Sequence, residues 1–261
     1  MTLKKNAFNL LSCLILLNPI FANTDPLPIA HRGASLHRPE NTLEAFQLAY
    51  QMGAKALEFD CWLSKDGEIV ICHDRDLKRT TNLSGKVGDF DLSDLQKMDA
   101  GSWFHPSYST ARMPSLKDVL DFSKNKNLTL FIELKDPNLQ IAQKTSKLLE
   151  EYEMIDRAYV ISFEHHLLSW LYKNYPQICL GISFSTISNE LISKSLEIEA
   201  KGLILPYYKV DTPLVENIQK HDLKVWLYGG HPEREEDRIT KVKQSLTCRV
   251  DGYFTDSLNL N

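Results

Sequence analysis

Apolar stretches alternate with helical patterns along almost the whole chain. One connection is too short to hold a helix, and about 240 residues follow an apolar N-terminal leader. These three observations predict an α/β fold, a TIM-type (β/α)₈ barrel with an antiparallel hairpin and a small inserted cap segment. Strands alternating with helices build a mostly parallel sheet covered by helices. A length of ~250 residues is typical when such a sheet closes on itself.

Strand candidates fall at 28–31, 56–62, 68–73, 128–134, 158–163, 178–184, 202–207, 224–228 and 252–255. Helical patterns lie between them at 41–52, 115–124, 138–152, 166–174, 188–199, 212–220 and 233–245. The first helix carries Asn41 and then Glu44 as a capping pair, and the second carries Ser115 and Asp118 after Pro114. Only Ser64-Lys65-Asp66-Gly67 separates the second and third strands. A parallel crossover needs about a dozen residues or more, so these two strands form an antiparallel hairpin. Eight strands remain for the parallel barrel. Turn length sets the hairpin register: a two-residue turn puts Asp60 opposite His73, and a four-residue turn puts Glu58 there. A three-residue turn would carry His73 to the other face. The even turns are expected, with His73 a neighbour of both acids.

From Asp74 to Met113 no clear strand occurs, and Gly85, Gly88, Gly101 and Pro106 punctuate the stretch. A loop this long inside a compact domain is functional or a small inserted unit. It is expected as a cap, at about 74–113, over the C-terminal mouth where barrel sites are built. The barrel domain as a whole is assigned to 26–261.

Residues 1–22 read as a cleaved signal peptide. Lys4 and Lys5 precede an apolar run from Ala7 to Phe21, and the small Ala22 follows. The run is short of the ~20 residues of a membrane span, so no span is expected after cleavage. Lipidation at Cys13 is the lesser reading, because the apolar run continues past it. The mature protein is expected to be exported, periplasmic or secreted. A net charge of −4 and a pI of about 6.1, with lysines scattered, argue against a nucleic-acid partner. Cys61, Cys72, Cys179 and Cys248 show no Cys-x-x-Cys spacing; export permits disulfides, and Cys179 and Cys248 are expected as buried free thiols. Oligomeric state is not legible.

The chemistry lies at strand ends. Glu58 and Asp60 are two residues apart, as are Glu133 and Lys135, so each pair shares one strand face. The three acids suit a hard divalent cation: the segments around them are apolar, and a buried carboxylate pair without a cation would be costly. His31 and His73 suit acid–base work, and Arg32 with Lys135 suits an anionic phosphate. Arg32 has a second reading as a structural bridge to Glu40 or Glu58. Glu40 and Asn41 read as supporting and helix-capping residues. Taken together, the set describes a metal-assisted phosphodiesterase. All-oxygen ligands suit Ca²⁺, which export favours, with Mg²⁺ as the alternative.

In order and spacing, His31-Arg32-Gly33, Pro39-Glu40-Asn41-Thr42, Glu58-Phe59-Asp60, Asp66-Gly67, His73-Asp74, Arg79-Thr80-Thr81, Pro114-Ser115-Leu116 and Glu133-Leu134-Lys135 resemble the glycerophosphodiester phosphodiesterase family. Val225-Trp226 and Val250-Asp251-Gly252-Tyr253-Phe254-Thr255-Asp256 resemble its last two strands. The resemblance implies a barrel with an insertion that hydrolyses small glycerophosphodiesters to glycerol 3-phosphate and an alcohol. It implies metal at Glu58, Asp60 and Glu133, acid–base work at His31 and His73, phosphate at Arg32 and Lys135, and a substrate pocket wall at Trp226. On the residues alone, Trp226 reads equally as core. Leu227-Tyr228-Gly229 stands where family members often carry Thr-Val-Asn, which bears on substrate preference more than on catalysis. Two alternatives stay open. One is a phospholipase-like enzyme of this fold acting on lysolipids or sphingolipids, with Trp103, Phe104, Tyr207 and Tyr208 as a candidate apolar rim. The other is a non-catalytic binding protein, which retention of both histidines and all three acids disfavours.

Overall fold

The computed structural model describes residues 25–229, Lys243 and residues 246–258. Nine strands occur among them: β1 (Leu27–His31), β2 (Ala56–Leu63), β3 (Ile69–Ile71), β4 (Thr129–Leu134), β5 (Ala158–Ser162), β6 (Cys179–Ser183), β7 (Gly202–Pro206), β8 (Lys224–Tyr228) and β9 (Gly252–Thr255). All but β3 run parallel and close on themselves, in the order β1-β2-β4-β5-β6-β7-β8-β9 and back to β1. The predicted eight-stranded barrel is therefore the fold.

Helices α1 (Leu43–Gln51), α3 (Leu116–Ser123), α4 (Leu139–Glu151), α5 (His165–Asn174), α6 (Leu191–Glu197) and α7 (Thr212–Gln219) wrap the outside, with a short α2 (Leu92–Leu95) in the 74–113 segment. The helix expected over 233–245 lies, apart from Lys243, outside the described residues, as does the leader 1–22. No helix among the described residues is long and apolar enough to cross a membrane. The four described cysteines are free.

Two expectations about local structure change. The cap of α1 is Thr42, whose hydroxyl accepts from the Ala45 amide. Asn41 is one residue too early; it sits at φ 57°, a conformation asparagine tolerates, and its side chain is used elsewhere. Ser115 and Asp118 do form the expected reciprocal cap of α3. The hairpin takes the three-residue turn, with Leu63 opposite Ile69 and the Ser64 amide bonded to the Glu68 carbonyl. That register would turn His73 away from the acids if the strand continued. Instead β3 stops at Ile71, the Cys72 amide makes a last bond to the Asp60 carbonyl, and the chain bends at His73.

The barrel interior explains where the site sits. Ile29, Ala56, Phe131, Ile161, Ile204 and Trp226 form one buried inner cluster. Side chains two residues further along a strand share its face and lie one layer nearer the C-terminal mouth. That step leads to His31, Glu58, Glu133, Phe163, Pro206 and Tyr228. The larger apolar cluster lies between the sheet and the helices. The 74–113 segment has a small cluster of its own around Val70, Leu77, Val87, Leu95 and Met113, which seats it on the β2–β3 hairpin.

Candidate active site

The carboxylates of Glu58, Asp60 and Glu133 converge, each offering an oxygen within 4.8 Å of the others. Adjacent parallel strands bring them together: Asp60 on β2 is in register with Glu133 on β4. Glu58 and Asp60 are 1 % exposed, while Glu133 opens slightly toward the mouth. Two cations face them. Lys135 Nζ lies 3.0 Å from Glu133 Oε1 and 3.3 Å from Asp60 Oδ1, and Arg32 Nε lies 3.4 Å from Asp60 Oδ2. Neither Glu133 Oε1 nor Asp60 Oδ1 accepts an aligned hydrogen bond. Three buried acids against two cations leave negative charge in excess.

The electrostatics follow from that imbalance. Burial pushes Glu58 well above the usual carboxylate range, and the charges of Asp60 and Glu133 push it further. Burial acts on Asp60 too, but Lys135 and Arg32 outweigh it and hold the group below its ordinary range. At Glu133 burial prevails over Lys135, so that carboxyl is raised. Burial acts to lower Lys135, yet Glu133 and Asp60 reverse the effect and raise it. An all-oxygen cluster with excess charge, whose Glu133 Oε1 and Asp60 Oδ1 face only the Lys135 ammonium, is a donor set that could hold a hard metal ion.

Each histidine is held by a carboxylate. His31 Nδ1 lies 2.6 Å from Asp256 Oδ1, leaving Nε2 turned toward Glu58 Oε2 at 3.9 Å. Closure of the barrel makes this contact, because β9 is the neighbour of β1. His73 Nδ1 lies 2.6 Å from Asp74 Oδ1. Burial lowers the His73 pKa, and the charge of Asp60, close enough to act on it, pushes back. The bend after β3, rather than the strand register, sets where the His73 ring lies.

Arg32 stands at φ 56° and Asn41 at φ 57°, and the Asn41 amide bonds the Arg32 carbonyl at 3.0 Å, closing the loop before α1. Such left-handed positions are costly for residues other than glycine and cluster at functional sites. Here they aim two groups at Asp60. Arg32 faces Oδ2, and the Asn41 side-chain amide donates to the same oxygen at 2.9 Å. The Arg32 backbone N–H donates to Glu58. Its side chain also bridges to Glu40 at 3.0 Å, the second reading the sequence allowed. Gly33, at φ 84°, must lack a side chain, since a Cβ would meet the α1 backbone at 2.7 Å.

His31, His73, Arg32, Glu58, Asp60, Glu133 and Lys135 thus share one end of the barrel. Trp226 is placed apart from them. Its ring is 2 % exposed and packs edge-on to Phe131 and Tyr159, so the structure puts it in the core beneath the site rather than on an open pocket wall. Tyr228, two residues on, reaches the rim, its ring 5.8 Å from that of Phe163. Sequence reasoning gave no role to Asp74, Asp256 or Arg79. Asp74 adjoins His73, and Asp256 ends the strand that a closed barrel must place beside His31, so both signals were present in the chain.

Carboxylates, cations and paired histidines gathered at the mouth of a closed barrel define a phosphodiester hydrolase. The chain matches the glycerophosphoryl diester phosphodiesterase family over residues 31–260. A glycerophosphodiester phosphodiesterase of Caldanaerobacter subterraneus subsp. tengcongensis is 35% identical, over 88% of this chain and 93% of that protein. A second enzyme of that name, from Bacillus subtilis, is 30% identical over 88% of this chain and 83% of its own length. Among solved structures, an Oleispira antarctica phosphodiesterase in complex with the product sn-glycerol-3-phosphate superposes with a TM-score of 0.81 at 28% identity, covering 88% of this chain and 93% of that one. The chain belongs to the glycerophosphoryl diester phosphodiesterase family and is an enzyme of that class.

Proposed function

We propose that the protein is an exported, metal-dependent phosphodiesterase that hydrolyses small glycerophosphodiesters to glycerol 3-phosphate and an alcohol. The observation that carries this reading is the convergence of the acid triad with His31, whose Nε2 lies 3.9 Å from Glu58, at the barrel end that also holds His73 on Asp74. The leader at residues 1–22 supports export.

Glu58, Asp60 and Glu133 would hold one divalent cation, Ca²⁺ by preference and Mg²⁺ as the alternative. A bound cation there neutralises charge on the non-bridging phosphoryl oxygens. Arg32 and Lys135 add fixed positive charge to the same oxygens, a contribution that is usually the largest catalytic effect at such centres. His31, whose Nδ1–H is engaged by Asp256, offers Nε2 as base to the attacking hydroxyl, either the glycerol 2-hydroxyl or water. His73, whose imidazolium Asp74 stabilises, donates its proton to the departing alkoxide. Each carboxylate fixes the tautomer and ring orientation of its histidine. Trp226 and Phe131 form the apolar floor, and the Phe163 and Tyr228 rings meet at the rim.

A lysolipid or sphingolipid substrate is the second reading. Exposed Leu36, Trp103, Phe163 and Tyr208, all on segments that follow strand C-termini, favour it. Tyr207, expected in such a rim, is buried and does not contribute.

The test is hydrolysis of glycerophosphoethanolamine by the mature protein beside His31→Ala and Glu133→Ala. Both variants are expected to fold, judged by circular dichroism, and to lose activity. Full activity in either would contradict the site.

A further inference from the structure

Arg79 lies in the segment after β3, outside the phosphate and metal groups, yet it touches the supports of both halves of the chemistry. Its Nη1 and Nη2 grip Glu40 at 2.7 and 2.8 Å, one to each carboxylate oxygen, and its Nε reaches Asp74 Oδ2 at 2.5 Å. Glu40 Oε1 in turn bonds Arg32 Nη1 at 3.0 Å, and Asp74 Oδ1 bonds His73 Nδ1 at 2.6 Å. One planar guanidinium therefore spans two carboxylates, each of which holds a different site residue. Such a fork fixes its partners in direction as well as distance, which a lysine ammonium cannot do. Trp103, from the same segment, lies under the guanidinium at 6.0 Å.

We propose that Arg79 is a positioning residue that sets Arg32 and His73 relative to one another, and so couples phosphate binding to proton delivery. The proposal rests on the phosphodiesterase reading above. Without the fork, Glu40 keeps Arg32 but loses its own anchor, and Asp74 can rotate away with the imidazole. A displacement of about 1 Å at a proton donor costs on the order of a hundredfold in rate.

The experiment compares two substrates of wild type, Arg79→Gln and Arg79→Lys under the metal that gives most activity. One is glycerophosphocholine, whose alkoxide needs a proton to leave. The other is the p-nitrophenyl ester of glycerol 3-phosphate, whose nitrophenolate leaves without one. For Arg79→Gln, kcat on glycerophosphocholine is expected to fall about 10- to 100-fold while kcat on the nitrophenyl ester falls only a few-fold. KM is expected to rise by a similar factor on both, through Arg32. Arg79→Lys should lie between, because the charge stays and the fork goes. Equal kcat losses on the two substrates, which a general loosening of the fold would give, overturn the proposal, as does unchanged kinetics. If Arg79→Gln fails to fold, Arg79→Lys carries the test and must show the same split between substrates, and equal losses there overturn the proposal. An inactive wild type on both substrates would remove the phosphodiesterase reading, and the proposal with it.

Discussion

Glu58 is held against its charged form by its surroundings: almost wholly buried, beside two other acids, and raised well above its usual range. Removing that carboxylate charge while keeping the shape, as in Glu58→Gln, should abolish activity without unfolding the protein. In chelator the variant is expected to melt no lower than wild type, because a neutral amide replaces a carboxyl whose charged form burial and its acid neighbours already disfavour. A ligand that binds only the folded state stabilises it by about 2.7 kcal/mol at a hundred times its dissociation constant. Added Ca²⁺ should therefore raise the wild-type melting temperature and leave that of Glu58→Gln unmoved. Equal shifts in the two proteins would mean that the triad does not hold the ion. At this scale the sequence was informative about which residues meet, since spacing of two along a strand is enough to share a face. It was less informative about their partners. The supports of His31 and His73 depend on closure of the barrel and on a bend after β3, neither of which local spacing encodes.

The elements around the mouth are held by ion pairs whose strength depends on pH. Burial acts to raise Glu40, but its bonds to Arg79 and Arg32 reverse that and depress it. A depressed carboxylate contributes stability that is complete above its unfolded pKa of ~4.3 and is lost as pH falls through the folded value. The wild-type melting temperature should accordingly fall below about pH 4, and Glu40→Gln should show a shallower acid limb. Parallel acid limbs would mean the pair adds nothing to stability. The inner cluster makes a second demand at this scale. A Cβ at Gly202 would come within 2.6 Å of both the Lys224 carbonyl oxygen and the Trp226 ring, and neither can withdraw. Gly202→Ala is expected to cost about 1–3 kcal/mol, or roughly 3–10 °C in melting temperature. An unchanged melting temperature would show that the Trp226 floor is not tightly packed. The hairpin shows where element-level reading fell short. Its existence followed from a four-residue connection, but its register did not, because Ser64-Lys65-Asp66-Gly67 is compatible with several turn lengths and only pairing of Leu63 with Ile69 selects one.

At the scale of the whole molecule, closure is what makes the site. His31 and Asp256 are separated by 225 positions in the chain and meet because the last strand returns to the first. The alternation of elements and the single hairpin made eight parallel strands, and hence closure, readable in advance. The inward step from Ala56 to Glu58 and from Phe131 to Glu133 then carries the chain from an apolar floor to a charged mouth in one layer. Trp226 shows the limit of that reading. The sequence allowed both a wall and a core position, and the small residues Gly181, Gly202 and Gly252 that admit its ring to the interior come from three other strands.

The central claim is that the acid triad, with a bound divalent ion, and the two histidines form one hydrolytic centre. The most direct measurement is release of glycerol 3-phosphate from glycerophosphocholine by the mature wild-type protein, with Ca²⁺, with Mg²⁺, and with excess chelator. The account predicts release with Ca²⁺, weaker or comparable release with Mg²⁺, and none in chelator. Undiminished release in chelator would contradict it.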